Sequence, residues 1–167
     1  MRAVVSRNAA TLCAAFSFFV AGAVVAAQSP AAAPGAAMAT PGLFSSLGDK
    51  PAIVFDAPSQ KAEKIFVLAR FQPVEVLVKL DKWIKIRDAE NSLGWVEAGA
   101  LGDKRFVQIA VPVADIHAAR DANSALAFEA QRSVLLEVTG AAVEGWLPVR
   151  HRDGQVGFVR NNQVWGD

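Results

Sequence analysis

Short apolar alternations punctuated by charged turns run from Lys50 to the end of the chain. Val74, Val76, Val78 and Leu80 recur at period two, and Phe106, Val107, Ile109 and Val111 form a second apolar run. Side chains two apart share one face of a strand, so this pattern predicts half-buried β-structure. Asp153-Gly154, lying between two such runs, predicts a tight hairpin. The alanine-rich stretch from Ile116 to Gln131 lacks strong alternation and also admits a helix, which alanine favours.

The two halves of this region repeat one another. Trp83-Ile84-Lys85-Ile86 is followed by Gly94-Trp95-Val96, and Trp146-Leu147-Pro148-Val149 by Gly157-Phe158-Val159. The Trp-to-Gly interval is 11 residues in both, and Leu101 and Val164 each lie 18 residues beyond their Trp. Upstream, Pro73 to Val78 aligns with Ser133 to Val138 if the second half carries an insertion of three residues within Thr139 to Gly145, a change that loops tolerate at small entropic cost. Units of this size, built from many short strands, point to compact β-barrels.

The chain before Lys50 has a different texture. Arg2 and Arg7 precede an apolar run from Leu12 to Val25, and Val25-Ala26-Ala27 offers the small residues that a signal peptidase reads. The run is shorter than the roughly 20 residues needed to span a bilayer, so residues 1–27 read as a cleaved secretory signal and no integral membrane anchor is expected after cleavage. Leu12 before Cys13 does not suit lipoprotein processing. Residues 28–48, rich in Ala, Pro, Gly and Ser and without charge before Asp49, read as a flexible linker. Pro30, Pro34 and Pro41 oppose a continuous helix there, and Leu43-Phe44 is the one apolar segment able to dock on the folded part. Barrels are accordingly expected at residues 49–111 and 112–167, in an all-β protein that is periplasmic or secreted.

Composition narrows the function. Without Arg2 and Arg7, the 17 basic residues fall to 15 against 16 acidic ones. That balance gives no general positive field for nucleic acid. The single cysteine, Cys13, leaves with the signal, and with it go a thiol nucleophile, a Cys-based zinc site and an iron-sulfur cluster. His117 and His151 stand in no paired metal spacing, and no Gly-x-Ser-x-Gly elbow is present. Gly140 to Gly145 has a phosphate loop's outer spacing, but Trp146-Leu147 replaces the required Lys-Ser/Thr. His151-Arg152-Asp153 lacks every other kinase element and reads as a turn. No catalytic residue, metal or cofactor is expected. The competing enzyme reading is a cell-wall hydrolase with a diffuse site around Asp115, His117 and Asp121.

The succession Ala57-Pro58-Ser59, Phe71-Gln72-Pro73-Val74-Glu75-Val76, Trp83-Ile84-Lys85-Ile86-Arg87, Gly94-Trp95-Val96 and Leu101 resembles the bacterial SH3-like domain. The second half keeps Trp146 to Val149, Gly157 to Val159 and Val164, with Phe158 in place of the tryptophan. The resemblance implies two half-open barrels in tandem, exported by bacteria. It also implies a binding module of the cell envelope without catalysis of its own, whose partner is peptidoglycan, its peptides or an envelope protein. Eukaryotic relatives of the fold grip polyproline in a Tyr-rich groove, and a chain with no tyrosine does not suit that mode.

Strand parity then selects candidate ligand-binding residues. Ile84 and Ile86 share one face, and Trp83, Lys85 and Arg87 the other; Leu147 and Val149 oppose Trp146 in the same way. If the aliphatic pairs fill the barrels, Trp83 and Trp146 face outward, either as binding anchors or buried between the two halves. Trp95 and Phe158 oppose Val96 and Val159 and favour packing beside a strand pair. All seven lysines lie in the first half. The second half uses arginine alone, and Arg150 and Arg152 suit a carboxylate ligand.

Overall fold

A computed structural model describes residues 43–167, so the expected signal and the linker up to residue 42 lie outside the described residues. The described chain is made of strands and short 3-10 turns. The strands are β1 (Leu43–Ser46), β2 (Ala52–Phe55), β3 (Lys64–Leu68), β4 (Pro73–Lys79), β5 (Trp83–Arg87), β6 (Leu93–Glu97), β7 (Phe106–Ile109), β8 (Val113–His117), β9 (Leu126–Gln131), β10 (Leu135–Val138), β11 (Trp146–Arg150), β12 (Val156–Arg160) and β13 (Val164–Trp165). They form two antiparallel sheets in the orders β1-β4-β5-β6-β2-β3 and β13-β7-β10-β11-β12-β8-β9. Each sheet curls around its own core. Val54, Val74, Ile84, Ile86 and Val96 fill the first; Val107, Ile109, Ile116, Leu136, Leu147, Val149 and Val159 fill the second. The inward-facing aliphatic pairs that parity selected are therefore core residues.

The two barrels follow one plan. β2 opposes β3 with Ala52 facing Leu68, and β8 opposes β9 with Ala114 facing Ala130; each pair has a register shift one residue before its end, at Val54/Phe55 and at Ile116/His117. Phe71 and Ser133 sit at equivalent turns, both in the left-handed region at φ 65° and 68°. Glu75 faces Arg87 across β4 and β5, as Glu137 faces Arg150 across β10 and β11. These partners are 12 and 13 residues apart, so the second copy gains one residue here, where the sequence alignment had placed three.

Two other expectations are corrected, and one open alternative is decided in favour of strands. Residues 43–47 belong to the first sheet and not to a linker: β1 pairs with β4, Ser46 is buried, and Leu47 joins the core. Phe106–Ile109, expected at the end of the first barrel, opens the second, where β7 lies between β13 and β10. The change of barrel thus falls between Gly102 and Phe106, earlier than residue 111. Ile116 to Gln131 contains no helix. Asp121 accepts from the Asn123 amide through its side chain and from the Ser124 hydroxyl through its carbonyl. These local bonds satisfy the chain in a turn, and β8 and β9 return on either side of it. The small Ala114 and Ala130 are buried face to face, where sheet packing overrides helix propensity. The hairpin at Asp153-Gly154 forms as its sequence signals, with Gly154 at φ 89°.

The glycine that precedes the aromatic in each copy has a packing cause. A Cβ on Gly94 would strike the Val54 side chain and approach the Phe55 carbonyl oxygen to 3.1 Å. One on Gly157 would strike Ile116 and lie 2.8 Å from the His117 carbonyl oxygen. The second contact is with backbone, which cannot swing away. Gly157→Ala is expected to cost about 1–3 kcal/mol through overpacking, and Gly94→Ala somewhat less. Urea unfolding of the two variants measures this, and unchanged stability in Gly157→Ala would contradict the close approach of β8 and β12.

A basic cleft between the barrels as candidate functional site

The barrels meet through few groups of definite chemistry. The Phe106 amide donates to the Ser46 hydroxyl at 2.8 Å, and that hydroxyl donates to the Phe106 carbonyl at 3.3 Å. Phe71 stacks on Phe106 with centroids 4.7 Å apart, and Phe44 meets Trp165 edge to face at 5.2 Å. Gly166, at φ 108°, lies against Pro73 so closely that a Cβ would come within 2.7 Å of that ring. Phe71 is a bulky residue in a left-handed conformation, which costs on the order of 1–3 kcal/mol and is held only where its surroundings fix it. Ser133 takes the same conformation at the equivalent turn, so the turn sets the φ, and the stack on Phe106 adds a contact across the junction.

This junction leaves a cleft of about 570 Å³. Arg70 and Phe71 reach it from the turn between β3 and β4, Lys104 from the connection between barrels, and Phe106 from β7. Glu137 on β10 and Arg150, His151 and Arg152 at the end of β11 complete the wall. Phe71 and Phe106 supply an apolar floor and the arginines a charged rim. Four cations face one acid, and that acid is already engaged, since Lys104 lies 3.1 Å from Glu137. Arg152 lies 3.7 Å from Asp153. Among the described residues neither Arg70 nor Arg150 is paired with a carboxylate. Exposed guanidinium groups around an aromatic floor suit a ligand with a carboxylate and some apolar surface.

The residues singled out by parity and charge fall in three places. Arg150 and Arg152 line the cleft. Trp83 and Trp95 lie on the first barrel, where Trp83 is half-buried and meets Phe55 edge to face at 5.2 Å. Trp146 and Phe158 lie on the second. Trp146 is only 3% exposed, which corrects the expectation of an outward ring: Arg160 stacks over it at 4.1 Å and His117 meets its edge at 5.5 Å. Among the described residues, the ring contacts that join the barrels are made by Phe44, Phe71, Phe106 and Trp165, whereas Trp83 and Trp146 meet rings of their own barrels. Phe158 is half-buried with Arg120 above it at 5.8 Å. No sequence pattern assigned Arg70, Phe71, Lys104 or Phe106 to a site, although Phe71 and Phe106 stand in the apolar runs and family motifs. Only Arg70 and Lys104 carry a charge signal, and nothing in the alternation marks them as neighbours of Arg150.

Asp115, His117 and Asp121 form no joined constellation. His117 Nδ1 lies 3.3 Å from the Ser124 carbonyl, and Asp121 is occupied in its turn. Among the described residues no three His, Asp or Glu side chains gather as metal ligands do. Two buried carboxylates are structural in position: Glu75 accepts from Arg87 Nε at 2.6 Å, and Asp88 accepts the Glu90 and Ser92 amides at 3.0 and 2.7 Å.

Burial of Trp146 makes it a stability residue. Trp146→Ala is expected to cost about 3–5 kcal/mol of folding free energy, and Trp83→Ala less because that ring keeps part of its surface in water. Thermal melts of both variants check the order, and a larger loss in Trp83→Ala would contradict it.

Residues 48–103 and 113–166 each match the family described as the bacterial SH3 domain. No curated protein matches the sequence. Among solved structures, similarity is found to NlpC2 from Trichomonas vaginalis, at 12% identity and TM-score 0.36, covering 74% of this chain and 48% of that one. An NlpC/P60 family protein from Bacillus cereus ATCC 10987 is similar at 14% identity and TM-score 0.34, covering 73% of this chain and 55% of that one. The chain spans about half the length of these structures. With both halves matched and both folded on one plan, the chain belongs to the bacterial SH3 domain family and carries two copies of the domain.

Proposed function

We propose that this protein is an exported, non-catalytic binding module of the bacterial cell envelope whose cleft between the barrels holds a carboxylate-bearing peptide of peptidoglycan. The family consists of binding domains, which supports the general class. The observation that carries the finer reading is the lining of the cleft: Arg70 and Arg150 stand without acidic partners on opposite barrels above the stacked Phe71 and Phe106. Stem peptides carry carboxylates that such groups can bond, and their aliphatic carbons can rest on the aromatic floor. Arginine bonds a carboxylate through two parallel N–H donors, which fixes orientation as well as charge. The positively charged signal-like segment before Ala27 supports export.

Retention on insoluble peptidoglycan tests this reading. The wild-type protein is expected to sediment with wall material and to be released by salt, because exposed charge pairs are screened. The double variant Arg70→Glu, Arg150→Glu is expected to bind at least about tenfold more weakly while keeping its melting temperature, since both side chains lie at the surface. Retention that survives charge reversal would refute the cleft, and recovery of a defined envelope protein without wall retention would refute the ligand class. Release of soluble muropeptides by the purified protein would refute the non-catalytic assignment.

A further inference from the structure

The two copies differ at one matched pair of positions in a way that points to a second ligand. In β11 and β12, Trp146 stands opposite Arg160, and the guanidinium sits 4.1 Å over the indole. In β5 and β6, the matched tryptophan, Trp83, stands opposite Glu97. The second barrel therefore carries its own cation on its tryptophan, and the ring is buried beneath it. The first barrel places an acid at the same register and leaves the ring half-exposed, with no arginine or lysine seated on it among the described residues. An edge-on aromatic supports the ring in both copies, Phe55 at 5.2 Å and His117 at 5.5 Å, so the indoles are held alike and only the cation is missing.

The surroundings of Trp83 suit a positive guest. A concavity of about 380 Å³ is lined by Gln60, Asp81, Lys82, Trp83, Glu97 and Gly99, in which two carboxylates outweigh one ammonium. Gln60 Nε2 donates to Glu97 Oε1, which orients that carboxylate at the mouth of the groove. A cation over a tryptophan face gains from the ring quadrupole, and more so with a carboxylate beside it. We propose that Trp83 and Glu97 form a site for a primary ammonium or guanidinium group carried by a peptide, the guest taking the place that Arg160 fills in the second barrel. The site lies on the first barrel and is independent of the basic cleft.

The test uses probes that carry a cation and no carboxylate, so that the cleft does not compete. Nα-acetyl-lysine amide and Nα-acetyl-arginine amide are titrated into the full chain while indole N–H resonances are followed by NMR. Saturable movement of the Trp83 signal is expected, with Trp146 unmoved. Glu97→Arg should seat a cation on Trp83 as Arg160 does on Trp146, and binding is expected to fall at least about tenfold. Glu97→Gln, which keeps the shape and removes the charge, is expected to weaken binding several-fold with the fold intact. Arg160→Glu is expected to confer a probe response on Trp146. A linear, non-saturating response of Trp83 in the wild type, or equal binding by wild type and Glu97→Gln, would overturn the proposal. Loss of wall retention in the cleft variant would leave these results unaffected.

Discussion

One hydroxyl sets the relation between the barrels. Ser46 ends β1 of the first sheet and is buried, yet its Oγ takes the Phe106 amide at the start of β7. The bond ties the first residue of the second barrel to the first strand of the other, in a part-buried place where an unpartnered amide is costly. The same bond places the Phe106 ring against Phe71. Phe71 and its neighbour Arg70 line the cleft from the turn between β3 and β4. Removal of the serine hydroxyl would leave that amide without its partner, while the contacts of Phe44 with Trp165 and of Gly166 with Pro73 still join the barrels. In this sense the candidate site depends on a contact that lies beneath it and touches no ligand.

The two copies share a backbone and have diverged in the side chains that meet the outside. Where the first has Phe55, the second has His117; where the first has Glu97, the second has Arg160. The junction is asymmetric as well. Trp165 and Gly166 follow the last 3-10 turn of the second copy and lie against Phe44 and Pro73 of the first. One copy thus covers its tryptophan and contributes arginines to the cleft, while the other leaves its tryptophan open. Duplication provides two frames, and the differences between them mark which surfaces are free to bind.

The core was legible because inward residues obey a period of two. Ile84, Ile86, Leu147 and Val149 are core residues, and the repeat of Trp and Gly at equal intervals finds equal strands. Leu43-Phe44 signalled a docking segment but not a paired strand, because the buried residue of β1 is Ser46, whose burial is stabilised by hydrogen bonds that no hydropathy pattern records. The helix admitted over Ile116 to Gln131 failed for the converse reason. Alanine favours helix intrinsically, whereas Ala130 is buried against Ala114 of the neighbouring strand. Parity separated Trp146 from Leu147 and Val149, which fill the core. It could not report that Arg160, one strand over, would close above the ring. Of the cleft, only Arg150 and Arg152 were visible as a charge bias, because the other wall comes from a turn some eighty residues earlier in the chain.

Amide hydrogen exchange at Phe106 tests the dependence of the site on Ser46 most directly. In the folded full chain, the Phe106 amide is expected to be protected like the core strand amides of β5 and β11. In Ser46→Ala its protection is expected to fall by at least about tenfold while those core amides keep theirs. Exchange of Phe106 at the rate of an exposed loop in the unaltered protein, or protection unchanged in Ser46→Ala, would contradict a junction locked by this hydroxyl.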